Sequence, residues 1–225
     1  MRRSGDIIRA IGWVSLALLT TQSAGQAAED PVARVQEWLD SWTRLSGRFE
    51  QTLSSPTLPS TQVEAGRFQV ARPGRMRWDF REPERKLAVS DGVHTWLYVP
   101  ADRQVVRGRL EDLRDGAISL LLGGTQRLTE AFLVVRASAG DGEIRLTLHP
   151  RRDSPFISEV DLQAEERSGA VRALSVTDAS GNLVAYQFWD IVLDPDLDEK
   201  LFHFQVPPGV EVQDLKRDPE DRSSP

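Results

Sequence analysis

Few residue types in this chain are spaced to do chemistry. The three histidines, His94, His149 and His203, fall in separate strand or strand-edge settings and read as turn or surface residues rather than one catalytic or metal set. Asp194, Asp196 and Asp198 alternate as at the start of a calcium loop. Pro195 interrupts them, and the glycine and distal glutamate of an EF-hand are missing, so a solvated loop is expected there. No G-x-S-x-G, H-E-x-x-H, P-loop or G-x-G-x-x-G pattern is present. The absence of cysteine removes thiol chemistry, cysteine metal sites, disulfides and a lipobox. An enzyme, a metal or a cofactor is therefore not expected. What remains is recognition chemistry at Arg72, between Ala71 and Pro73 at the end of an alternating run. Proline steers the preceding residue toward extended backbone, which sets where the arginine points. Two readings stand open. Arg72 is an exposed turn residue, or its rigid fork of donors reaches carbonyl groups at a helix end and locks them in place.

The elements that position Arg72 come from residues 66–106. Phe68 and Val70 alternate with polar neighbours; Met76, Trp78 and Phe80 do the same, followed by Leu87 and Val89 and then by the run 94–99. Arg72-Pro73-Gly74, Glu82-Pro83, Asp91-Gly92 and Pro100-Ala101-Asp102 separate the runs. This is the pattern of an antiparallel meander with one face in a core and the other in water. Asp91-Gly92 is a strong hairpin signal, because a tight primed turn needs positive φ. Met76, Trp78 and Phe80, together with Trp96, are predicted to share the concave face, with Arg75, Arg77 and Asp79 outside. Such a face either packs a core or walls an apolar pocket.

Asp30-Pro31 is a helix start, an acceptor N-cap followed by proline at the first helical position. Val35, Trp38, Leu39, Trp42 and Leu45 then form one apolar stripe, predicting a helix that runs through Leu45. Residues 47–53 read as a strand with Phe49, Gln51 and Leu53 alternating. The period changes over 110–131, where Leu113, Ala117, Ile118, Leu120, Leu121 and Leu122 are helix-compatible and end at Gly123-Gly124. That helix is either plain core or a mobile lid. Strand-like runs return at 132–137, 143–149, 156–164, 171–177 and 183–193, and Val210 and Val212 allow a last short strand. The fold class expected is mainly β (α+β): one strongly curved antiparallel sheet of about ten strands, with the helices over its concave side.

Basic Arg2, Arg3 and Arg9, a short apolar run and small residues near Ala27 read as a secretory signal peptide over residues 1–28, with the mature chain beginning near Ala28 or Glu29. One domain is expected over 29–214, and a charged, proline-containing, disordered tail over 215–225. The chain carries a net charge of −6, and residues 1–27 hold three arginines against one aspartate. The exported form is thus more acidic still, a poor partner for nucleic acid or an anionic membrane.

Taken in order, several short pieces resemble the periplasmic outer-membrane lipoprotein carrier family LolA. They are Phe49-Glu50-Gln51, Gly66-Arg67-Phe68, Arg72-Pro73-Gly74-Arg75-Met76-Arg77-Trp78, Ser90-Asp91-Gly92, Trp96-Leu97-Tyr98, Leu120-Leu121-Leu122-Gly123-Gly124, and Phe202-His203-Phe204 leading to Pro207-Pro208-Gly209-Val210. The resemblance implies an unclosed β-barrel with an α-helical lid, and a periplasmic, non-enzymatic chaperone that takes lipoprotein acyl chains into a hydrophobic cavity. It would load from an inner-membrane lipoprotein-releasing ABC transporter and deliver to an outer-membrane receptor, as a monomer. It also implies that Arg72 holds the lid shut. Phe49, Met76, Trp78, Phe80, Trp96, Ile118, Leu121 and Leu122 become the candidate cavity lining. The bulky Trp38 and Trp42, and the tail after Leu215, depart from the family pattern. Two rival readings are a sensor or assembly module of the same fold that binds a protein or cell-envelope partner, and an enzyme acting on a lipid.

Overall fold

The computed structural model describes residues 30–57, 60–110, 119–124 and 126–215, without the side chains of 119 and 120. The expected signal peptide, Ile118 and the tail from 216 onward lie outside the described residues.

Helix α1 spans Pro31–Asp40, and the Asp30 carboxylate accepts from the Val32 amide at 2.9 Å. It stops well short of Leu45. Ser41 closes it, donating to the Trp38 carbonyl from both backbone and hydroxyl (3.2 and 2.8 Å). The Asp194 carboxylate then takes the amides of Thr43 and Arg44 at 2.9 and 3.0 Å, drawing the chain into strand β1 (Arg44–Ser54). Trp42 and Leu45 are nonetheless buried in the same core as Trp38 and Leu39. A turn and a strand start thus continued the apolar spacing of a helix.

The other strands are β2 (Gln62–Ala71), β3 (Arg75–Glu82), β4 (Lys86–Asp91), β5 (His94–Val99), β6 (Gln104–Arg109), β7 (Phe132–Gly140), β8 (Glu143–Pro150), β9 (Glu159–Glu165), β10 (Val171–Thr177), β11 (Leu183–Leu193) and β12 (Glu211–Asp214). They form one twelve-stranded sheet in the order β12-β6-β5-β4-β3-β2-β1-β11-β10-β9-β8-β7. Every pairing is antiparallel except β12 on β6, which is parallel. Chain order alone does not reveal that β1 lies beside β11, pairing Phe49 with Phe188. The linear order leaves β12 and β7 as edges, so the barrel is unclosed.

The sheet must curl. Helix α1 packs on β7 and β8, yet Arg72, one residue past β2, reaches carbonyls at the end of α1. Strands β2 and β7 stand six places apart in the order. Laid flat, they would lie about 29 Å from each other, far more than one helix about 10 Å wide can bridge. Curling brings both under α1 and gives one contiguous core.

Of the segment expected to be helical, the described residues Ser119–Gly123 form a π-helical turn. A short helix α2 (Leu128–Ala131) follows it, and a 3-10 turn (Glu199–Phe202) leads into the C-terminal segment.

Candidate functional site

Arg72 leaves the end of β2 with its own amide bonded to the Thr43 carbonyl at 2.9 Å. Its side chain passes under α1, with Cζ 3.7 Å from the centre of the Trp42 ring, a cation–π distance. Nε donates to the Leu122 carbonyl and Nη2 to the Leu121 carbonyl, both at 3.2 Å. Nη1 donates to the Leu39 carbonyl and, at 3.5 Å, to that of Trp42. The next carbonyl of the lid segment, Gly123, accepts from the Gly74 amide at 3.0 Å. Three consecutive carbonyls at the end of the π turn, which its own hydrogen bonds leave without a donor, are thus taken by the β2–β3 turn. Burial lowers the guanidinium from its ordinary value, and the charge of Asp40 opposes the shift. Of the two readings of Arg72, the geometry matches the donor fork.

Gln36, which the sequence reading passed over, completes the closure. It is only 6 % exposed. Its amide donates to Asp40 at 2.8 Å, and its carbonyl accepts from the Leu128 amide at 2.7 Å, tying α1 to α2. A polar residue on the apolar face of α1 was the available signal. A cleft of about 20 Å³, room for one water, lies between Gln36, Asp40, Arg72 and Leu121.

Below this closure the strand registers align a concave face. Leu45, Val70, Met76 and Ser90 share one row; Phe68, Trp78, Ala88 and Leu97 form the next; Phe188, Phe49, Gly66, Phe80 and Lys86 the one after. Gly66 is a packing necessity, because a Cβ there would come within 2.1 Å of the Asp79 carbonyl oxygen and 3.0 Å of the Phe49 ring. The rings pack edge to face and stacked: Phe49 lies 4.8 Å from Trp78 and 5.0 Å from Phe80, and Phe68 stacks on Trp78 at 5.3 Å. Leu121 and Leu122 are buried in the same cluster. The structure therefore brings together Phe49, Met76, Trp78, Phe80, Leu121 and Leu122. It adds Phe68, Phe188 and Tyr186, which the alternation of β2 and β11 carries in the sequence.

Trp96 does not belong to that face. It pairs with Val89, which pairs with Arg77, so it stands on the convex side, 6.1 Å from the ring of Phe204. Leu97 occupies the concave row instead. Arg75 and Arg77 do point outward, as expected, but a C-terminal strap covers them. Arg75 pairs with Glu199 and lies over the Phe202 ring, and Arg77 donates to the Leu201 carbonyl at 3.1 Å.

The histidines stay apart and exposed, His94 beside Asp91, His149 beside Glu159 and His203 against the Glu199 carbonyl. No group of metal-ligating side chains is found among the described residues. Asp194 holds the start of β1. Its carboxyl lies below the usual carboxylate range because the Arg44 and Thr43 amides bond the charged form. Asp198 caps the 3-10 turn through the Lys200 amide at 2.9 Å.

An unclosed, curled sheet carries a ring-lined concave face, and a short segment lies over it with two carbonyls bonded to Arg72. The comparisons with known proteins give the chain a family. The profile of the outer membrane lipoprotein carrier protein LolA matches residues 40–205, and the chain belongs to the LolA family. The outer-membrane lipoprotein carrier protein of Pseudomonas paraeruginosa is 30% identical over 209 residues, covering 91% of this chain and 99% of the relative. That of Methylococcus capsulatus is 30% identical over 201 residues, covering 88% and 95%. An uncharacterized conserved protein from Thermus thermophilus shares the fold, with a TM-score of 0.50 at 12% identity over 82% of this chain and 97% of its own.

Proposed function

We propose that this protein is a periplasmic carrier that holds the acyl chains of lipoproteins against its concave aromatic face and moves them from the inner to the outer membrane. The observation that supports this most is the pairing of an apolar concave face with a closure built from backbone carbonyls and one arginine, in a chain of this family. Each methylene left in water costs about 0.8 kcal/mol, so two or three acyl chains exposed together would cost tens of kcal/mol. A carrier must offer matching apolar surface and hide it when empty. In this reading Leu121, Leu122 and α1 cover the face at rest, and the Arg72 bonds hold them. Hydrogen bonds worth about 1 kcal/mol each net are weak enough for cargo to break. The carrier works as a monomer and without catalysis. It loads from an inner-membrane lipoprotein-releasing ABC transporter and delivers to an outer-membrane lipoprotein receptor.

Photo-crosslinking tests the reading. A photoreactive residue at Trp78 or Leu121 is expected to capture a co-expressed lipoprotein, while one at Asp79 or Trp96, on the convex side, captures none. Equal capture at all four positions, or capture at none, would sink it.

A further inference from the structure

The concave face is not apolar to its far end. On β2, eight residues before Arg72, Glu64 faces the concave side at 9 % exposure, beside Gln51 at 8 %, with which it pairs across β1 and β2. Lys86, opposite Phe80 in the next register, forms an ion pair with Glu64 and sits 5.2 Å from the Phe80 ring centre. Tyr186 pairs with Gln51 from β11 and stacks on Phe188. Burial, together with the charge of Glu64, pushes its phenol well above the ordinary value and keeps it a donor. Among the described residues, neither the Tyr186 hydroxyl nor the Gln51 amide takes a hydrogen-bond partner.

An ion pair on an otherwise apolar face does little for stability, since a well-packed apolar pair in its place is often neutral or better. Its polarity therefore calls for another use. The pair is neutral overall, so it suits a neutral acceptor better than a carboxylate, which would meet Glu64. The unused donors are the remaining ammonium protons of Lys86, the Tyr186 hydroxyl and the Gln51 amide.

We propose that Gln51, Glu64, Lys86 and Tyr186 form a receiving site for the ester carbonyls at the head of acyl chains, with the chain tips running along Phe49, Trp78 and Met76 toward the Arg72 end. The proposal rests on the carrier reading and adds a direction and a linkage preference to it. Cargo enters in one orientation, and the face distinguishes esters from plain hydrocarbon.

The test compares a synthetic tripalmitoyl-S-glyceryl-cysteine peptide with an analogue whose two glyceryl esters are ethers, with palmitate as a third probe. Wild-type protein is expected to bind the ester peptide about 10-fold more tightly than the ether, the worth of one to two hydrogen bonds. Two variants, Glu64→Leu with Lys86→Met, and separately Tyr186→Phe, should each cut that ratio to about 3-fold or less. The paired apolar replacement is expected to fold with wild-type thermal stability, because no lone charge is left behind. Equal binding of ester and ether by wild type overturns the proposal, as does an undiminished ratio in both variants. Palmitate bound more tightly than the peptide, in a Lys86-dependent way, also overturns it in favour of a carboxylate site. If neither peptide binds at all, the carrier reading falls and takes this proposal with it.

Discussion

Two segments cover neighbouring strands from opposite sides of the sheet, the lid over β2 and Met76 of β3 and the C-terminal strap over β3 and β4, and they are attached in different ways. On the convex side the C-terminal strap spreads its attachments widely. Phe202 is 1 % exposed, Phe204 packs on Trp96 and Tyr98, and Arg75 and Arg77 each hold a different residue. Beyond them β12 adds a parallel ladder to β6, reinforced by a two-pronged Arg107–Asp214 pair at 2.7 and 3.0 Å. On the concave side the lid segment buries Leu121 and Leu122, but among the described residues its polar attachments run to the β2–β3 turn, two from Arg72 and one from the Gly74 amide. Distributed attachment loosens by degrees as parts are removed. Convergent attachment fails together when the one turn that carries it shifts. In the carrier reading proposed above, the strap is the part that stays and the lid the part that lets go.

The comparison breaks most visibly through the strap. Phe202→Ala should cost about 3–5 kcal/mol in urea unfolding, the usual loss for a buried phenylalanine. Hydrogen exchange at the amides of 121–123 should keep its margin over the rest of the chain. Selective acceleration of those amides would mean that strap and lid are one unit.

Arg72→Leu is the next largest effect. Four carbonyls lose their donor, at about 1–3 kcal/mol for each that stays buried and unpaired. Opening lets them take water instead, so the global loss should be only about 1–3 kcal/mol, with exchange in 121–123 rising selectively. In cells the open form should load cargo but retain it, so that cargo-bound carrier accumulates. Arg72→Lys should fall between, since lysine keeps the charge and loses the fork. Normal delivery by Arg72→Leu would place the lock elsewhere.

The smallest effect sharpens the comparison at the root of the lid. Asp194 holds Thr43 and Arg44 just after α1, and its folded-state pKa is depressed. Its contribution is therefore present above the unfolded carboxylate value of about 3.9 and is lost as pH falls through the lower folded value. The stability gap between wild type and Asp194→Ala should be steady at neutral pH and close in acid. A gap that widens on acidification would contradict the assignment.

Much of this was legible in the chain. The meander from Phe68 to Val99, the N-cap at Asp30 and the concave phase of Met76, Trp78 and Phe80 follow from alternation and turn residues, and the curl from the number of strands; that the sheet stays unclosed is what the family resemblance implies. Trp96 was misplaced because β5 carries apolar residues on both faces. The strap buries the convex side there, so alternation loses its phase. Helix α1 was drawn too long because Trp42 and Leu45 reach the same core from a turn and a strand. The π form of the turn at Ser119–Gly123, the parallel β12 and the β1–β11 pairing depend on partners distant in sequence that no local pattern encodes. Glu64 and Lys86 were passed over because a charge within an alternating strand ordinarily means water.

The β1–β11 junction also sets a timetable. The middle of the finished sheet joins a strand near the start of the described chain to one near its end. Contacts that distant must wait for the loop between them to be ordered, which slows folding. Until β11 arrives, β1 presents an open strand edge above exposed aromatic rings, the condition in which chains pair with the wrong neighbour. A chain proposed to shield the apolar parts of others therefore passes through an interval of its own in which it needs shielding.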